Sequence, residues 1–135
     1  MGPRMLLAAA LAVAAAYAPV AYAASPRYTD IVMSDTKGGK DKHAFKPATP
    51  EIFIHAGVEG VSAGTMLKGD WIAVKTKVAP PNFKIYSVDL KAFPLMTSVD
   101  FHISKPTAGW PEGDYRFDMF IGGKKVNDVK FTVAK

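Results

Sequence analysis

The feature that most constrains this chain is a two-residue alternation of apolar and polar side chains that recurs from residue 51 to the C-terminus. Glu51–Val58 sets Ile52, Ile54, Ala56 and Val58 against Phe53, His55 and Gly57. Thr97–Lys105 sets Val99, Phe101 and Ile103 against Asp100, His102 and Ser104. Asp114–Ile121 sets Tyr115, Phe117, Met119 and Ile121 against Asp114, Arg116, Asp118 and Phe120, and Val129, Phe131 and Val133 repeat the pattern. A period of two places each set on one side of a pleated strand, whereas a helix face needs apolar residues three and four apart. No window sustains the helical spacing. Further strands are predicted at Tyr28–Met33, at Leu67–Val78 around Trp71, and at Phe83–Leu90 after the Pro80-Pro81-Asn82 turn. About seven short strands, each apolar on one side, predict an all-β fold of two antiparallel sheets packed face to face.

Ten prolines and eleven glycines supply the breaks between strands. Gly122-Gly123 is the sharpest of them, because a two-residue hairpin turn needs positive φ at both central positions. The segment Lys124–Asp128 is longer than a plain ladder requires before Val129, which predicts a bulge or a short irregular stretch around Asn127-Asp128. Gly38–Pro50 is the expected long loop.

The first residues read as an address. Arg4 precedes an apolar run from Met5 to Ala18, Pro19 breaks it, and Ala21-Tyr22-Ala23 offers small residues at the two positions read by a signal peptidase. The run is shorter than the ~20 residues that cross a bilayer. The expectation is a signal peptide over residues 1–23, a single domain over 24–135, and a periplasmic or secreted product with no membrane span after cleavage. The absence of cysteine excludes a disulfide framework, a thiolate metal site, a cysteine nucleophile and a lipid-modified N-terminal cysteine.

The phrase Lys105-Pro106-Thr107-Ala108-Gly109-Trp110-Pro111-Glu112-Gly113-Asp114-Tyr115 resembles the entry to a late strand in exported bacterial immunoglobulin-like domains. There a K-P-x-x-G-W-x-x-G-x-Y phrase precedes alternating apolar residues and a glycine turn, and a final strand ends in F-x-V, here Phe131-Thr132-Val133. Gly64–Trp71 resembles the central strand of the same domains. The resemblance implies an immunoglobulin-like sandwich and no particular activity, since this architecture carries many unrelated functions. Trp110 and Tyr115 are then expected in the core with Phe101, Phe117 and Phe131.

Chemistry is sparse. His43, His55 and His102 form no H-x-H or H-E-x-x-H pair, and Met33, Met66, Met96 and Met119 are isolated. His55 and His102 fall on the polar sides of their strands and would share an exposed face if those strands were neighbours. They are the candidate ligands for copper or zinc. Ser98, Asp100 and His102 carry the residue types of a hydrolase, but alternate strand positions project in parallel and no nucleophile elbow accompanies them. The net charge of +5 comes from scattered lysines, with one denser stretch at Lys37, Lys40, Lys42 and Lys46 that holds a single aromatic, Phe45, a poor platform for nucleic acid.

The function expected from these features is an exported, non-catalytic binding module of the bacterial cell envelope, with no cofactor and no nucleic acid. Phe53, Tyr86 and Phe120 are the candidate interaction surface, and the partner another envelope protein or an anionic envelope component. A periplasmic metal-binding protein is the alternative.

Overall fold

The computed structural model describes residues 25–135, so the expected signal peptide lies outside the described residues. These residues form eight strands: β1 (Arg27–Ser34), β2 (Ala44–Phe45), β3 (Glu51–Glu59), β4 (Met66–Thr76), β5 (Phe83–Lys91), β6 (Ser98–Ser104), β7 (Gly113–Ile121) and β8 (Lys124–Val133). They build one sheet of three strands, β1-β3-β6, and one of five, β2-β8-β7-β4-β5. All neighbours are antiparallel except β2, which pairs in parallel with the end of β8 through Ala44–Thr132 and Phe45–Val133. The long loop is thus not all loop: β2 pins it, and Phe45 is buried with its ring edge-on to Phe131.

The alternation read from sequence sorts the side chains as expected in β3, β6, β7 and β8. In β4 the inner face is Leu67, Gly69, Trp71 and Ala73, because Trp71 pairs with Phe117 while Ile72 faces outward opposite Arg116. Trp71 lies 4.3 Å from the Phe117 ring centre, and Phe117 lies 5.3 Å from Phe101 of the other sheet. This aromatic chain bridges the sandwich. Gly69 leaves room for it, since a Cβ there would overlap the Phe117 ring.

One end is closed by the phrase that preceded β7. Trp110 is buried and its indole N–H donates to the Thr49 carbonyl at 3.0 Å. The Tyr115 hydroxyl donates back to the Pro111 carbonyl at 2.5 Å, its ring stacks 5.1 Å from Phe131, and burial pushes its phenol up to about 12. A tyrosine that bonds back to a carbonyl just upstream is the corner that marks this strand in immunoglobulin-like sandwiches.

The C-terminal hairpin has the expected turn: Gly122 and Gly123 take φ of 59° and 84°, and Ile121 pairs with Lys124. The bulge is displaced from the expected position. Phe120 pairs with Lys125 and Met119 with Asn127, so the extra residue is Val126, and Asn127 and Asp128 stay in the ladder. Once the turn fixes the pairing of Lys124 and Lys125, one residue must be absorbed directly after them to bring Val129 and Phe131 inward.

Phe117→Ala should cost about 3–5 kcal/mol in chemical denaturation, the usual range for emptying a large buried aromatic site. At the hairpin, Gly122→Asn should leave the melting temperature nearly unchanged, because asparagine tolerates left-handed backbone. Gly122→Val with Gly123→Val should lower it clearly.

Candidate interaction surface around strand β6

The two sheets are unequal, and the site follows from that. β6 is the outer strand of the three-stranded sheet and β5 the outer strand of the five-stranded one. Both run unpaired on the same side of the sandwich, separated by a groove of about 570 Å³ lined by Ile85, Tyr86 and Val88 from β5 and by Phe101, Ile103 and Pro106. A bulge helps to open it. Tyr86 pairs with Trp71 and Lys84 with Ile72, leaving Ile85 as the extra residue. Tyr86 therefore points to the inner side of its sheet, yet it is 51% exposed because no strand of the shorter sheet lies opposite it.

On its other flank β6 presents Asp100 and His102 to the outer face. His55 of β3 is opposite Asp100, and Phe53 is opposite His102. The two histidines are thus diagonal neighbours, and each already has an acidic partner. His55 Nδ1 lies 2.7 Å from Asp100 Oδ1, and His102 Nδ1 lies 3.2 Å from Glu51 Oε2. Phe53 is half-buried with its ring centre 6.1 Å from the His102 ring. This face and the Lys37–Gly39 loop enclose a shallow depression of about 350 Å³. Among the described residues, no group of three or more His, Asp or Glu side chains converges in a way that could hold a metal ion.

The structure separates the three aromatics grouped by sequence. Phe53 belongs to the outer face of the three-stranded sheet and Tyr86 to the groove. Phe120 lies on the outer face of the five-stranded sheet, half-buried beneath Lys68, whose Nζ is 4.4 Å from its ring centre. That outer face is a charged lattice: Asp118 accepts from Arg116 at 2.7 Å and faces Lys125 at 3.1 Å, and Asp70 accepts from Ser87 at 2.5 Å with Lys68 and Lys84 nearby. Each of the two buried carboxylates thus holds a pair of cations.

His43 and Asp41 have a structural task. The imidazole sits between the Lys130 carbonyl, 2.9 Å from Nδ1, and Asp41 Oδ2, 2.9 Å from Nε2. Asp41 Oδ1 also accepts the Met33 amide at 2.9 Å. The clamp ties the loop to β1 and β8.

Sequence reading missed Ile85 and Val88 and, above all, where the exposed apolar residues gather. Among the described residues, the exposed large hydrophobics are Met66, Val78, Phe83, Tyr86, Phe93 and Leu95. Every one lies on β5, in a turn flanking it, or opposite its last residue. The signal available beforehand was Phe93-Pro94-Leu95, three apolar residues where a turn interrupts the alternation.

No protein-family model matches this sequence, and no curated protein sequence does either. The fold has solved counterparts. An immunoglobulin-like protein from Pseudomonas aeruginosa superimposes with a TM-score of 0.57 at 12% identity, over 84% of this chain and 100% of that one. Part of the alkylpurine DNA glycosylase AlkC of Pseudomonas fluorescens, solved bound to DNA containing an abasic site analog, gives 0.52 at 13% identity over 83% of this chain. Part of a β-glucosidase from Listeria innocua, solved with glucose, gives 0.52 at 9% identity over 82%. The present chain spans 31% of the glycosylase and 16% of the glucosidase. At these identities the likeness shows the fold, which is an immunoglobulin-like β-sandwich.

The Asp41 clamp has a pH signature. The Met33 amide is the main cause that holds the Asp41 carboxyl below the ordinary aspartate value of 3.8; partial burial opposes it, and His43 adds to the lowering. A carboxyl depressed in the folded state stabilises the fold above its unfolded pKa, and that contribution is lost as pH falls through the folded value. Asp41→Asn should therefore lower the melting temperature at neutral pH, and the gap to the unsubstituted protein should close as pH drops below 3.8.

Proposed function

We propose that this chain is an exported, non-catalytic interaction module of the bacterial cell envelope, which holds an extended segment of a partner protein along β6. The observation that carries this reading is the apolar surface of Ile85, Tyr86 and Val88 on β5, with the exposed Tyr86 overhanging the free edge of β6. A strand laid beside β6 would take up its unpaired backbone N–H and C=O groups. It would also place alternate side chains over Ile85, Tyr86 and Val88. Strand addition of this kind draws affinity from main-chain hydrogen bonds and specificity from pockets for every second side chain. An edge left free beside apolar surface otherwise invites uncontrolled pairing, which sheet proteins commonly suppress with charge or with a covering element.

The non-catalytic part rests on the chemistry of the same strand. His55 and His102 each face a carboxylate, and Ser98, Asp100 and His102 project in parallel from β6. Export rests on the leader-like pattern of residues 1–23.

A photo-crosslinking residue at Tyr86 tests the reading in cells that produce the protein. A discrete crosslinked partner is expected at Tyr86 and not at Asp114, and Val88→Lys should abolish it. Equal labelling at both positions, or none at either, would remove the groove as the binding site.

A further inference from the structure

We infer that the Phe93–Leu95 turn, apart from the β5–β6 groove, is a lipid-contacting tip that docks this end of the sandwich on a bilayer carrying anionic headgroups. Met96 N donates to the Phe93 carbonyl at 3.2 Å, Pro94 holds the second position of that turn, and Leu95 holds the third with φ 64°. Proline followed by positive φ is the type II pattern, whose third position ordinarily takes glycine or asparagine. Leucine there carries two costs at once. Its Cβ strains the backbone, and its side chain stands 96% exposed beside Phe93 at 59%. A solvated turn gains nothing from either cost, whereas an apolar phase offsets both.

The surroundings favour a lipid surface over a protein pocket. Met66, 41% exposed, pairs with Lys91 at the end of β5 and so widens the apolar tip. Gly122 N donates to the Met66 carbonyl at 2.8 Å, which brings the β7–β8 turn and Lys124 to the same end. Lys91 and Lys124 are exposed and make no ion pair among the described residues. Glu59, the acid at this end of β3, is bonded to Arg27 at 2.7 Å, and Asp89, exposed on β5, stands opposite Lys68 in the strand register. A projecting apolar turn flanked by the unpaired Lys91 and Lys124 matches the layering of a membrane boundary, with hydrocarbon beneath and anionic headgroups at the level of the ammonium groups.

The test compares full-length chains, so that residues 1–24 contribute equally to each. The unsubstituted protein should sediment with vesicles of phosphatidylglycerol and phosphatidylethanolamine. Phe93→Ser combined with Leu95→Asn should lower its partition about tenfold or more, because two large side chains no longer enter the bilayer. Asparagine suits the backbone at position 95, so Leu95→Asn alone should melt at or above the unsubstituted protein, showing that the fold survives. Lys91→Glu with Lys124→Glu should weaken binding several-fold on these vesicles and leave the weaker partition to phosphatidylcholine vesicles unchanged. Unaltered sedimentation of the Phe93/Leu95 variant would overturn the inference. So would equal binding to both vesicle types, or a vesicle-free dimer that the same substitutions dissociate, since a second copy would then be what covers the tip.

Discussion

The Trp71–Phe117–Phe101 stack is the contact on which the rest of this sandwich depends. In antibody domains a disulfide joins the two sheets, one of its cysteines standing two residues after the corner tyrosine. Here that position is Phe117, two residues after Tyr115, and the chain has no cysteine. An aromatic ring reaching across the interface does by burial what a covalent bond does by linkage. The two solutions differ in consequence. The aromatic bridge is indifferent to the redox state of its surroundings, but it tolerates no cavity and demands glycine at position 69, where a larger residue would meet the ring.

That bridge needs only the central strands, which leaves the flanks of the sheets free to differ. Five strands face three, and the surplus strand β5 hangs beyond β6 with apolar side chains uncovered. The distribution of polarity fits this asymmetry. On the broad outer face of the larger sheet, Asp70 and Asp118 are buried beneath the cations they pair with. Among the described residues, the open side and the turns beside it carry the large hydrophobics that stand exposed.

Much of the architecture was legible because one-sided burial leaves a period of two in the sequence. β3, β6, β7 and β8 could be assigned to faces residue by residue, and the double glycine fixed the hairpin. β4 was harder: its inner face holds Gly69 and Ala73 while its outer face holds Ile72, so hydrophobicity alone points the wrong way there. β2 spans two residues and has no periodicity to read; it exists because Phe45 finds a place against Phe131. The site was less legible still. Whether an aromatic on a strand is exposed depends on what lies opposite it in the other sheet. Tyr86 is exposed for want of a facing strand, a fact of topology rather than of local sequence.

The parallel pairing of β2 with the end of β8 also bears on how the chain reaches this state. Residues 44–45 wait for residues 132–133, and β4 waits for β7, its neighbour on the core side of the sheet. Contacts so distant along the chain close slowly. A polypeptide emerging N-terminus first therefore carries Trp71 uncovered until residues 113–133 have followed. Its most vulnerable interval is set by the rate of emergence rather than by the stability of the finished domain.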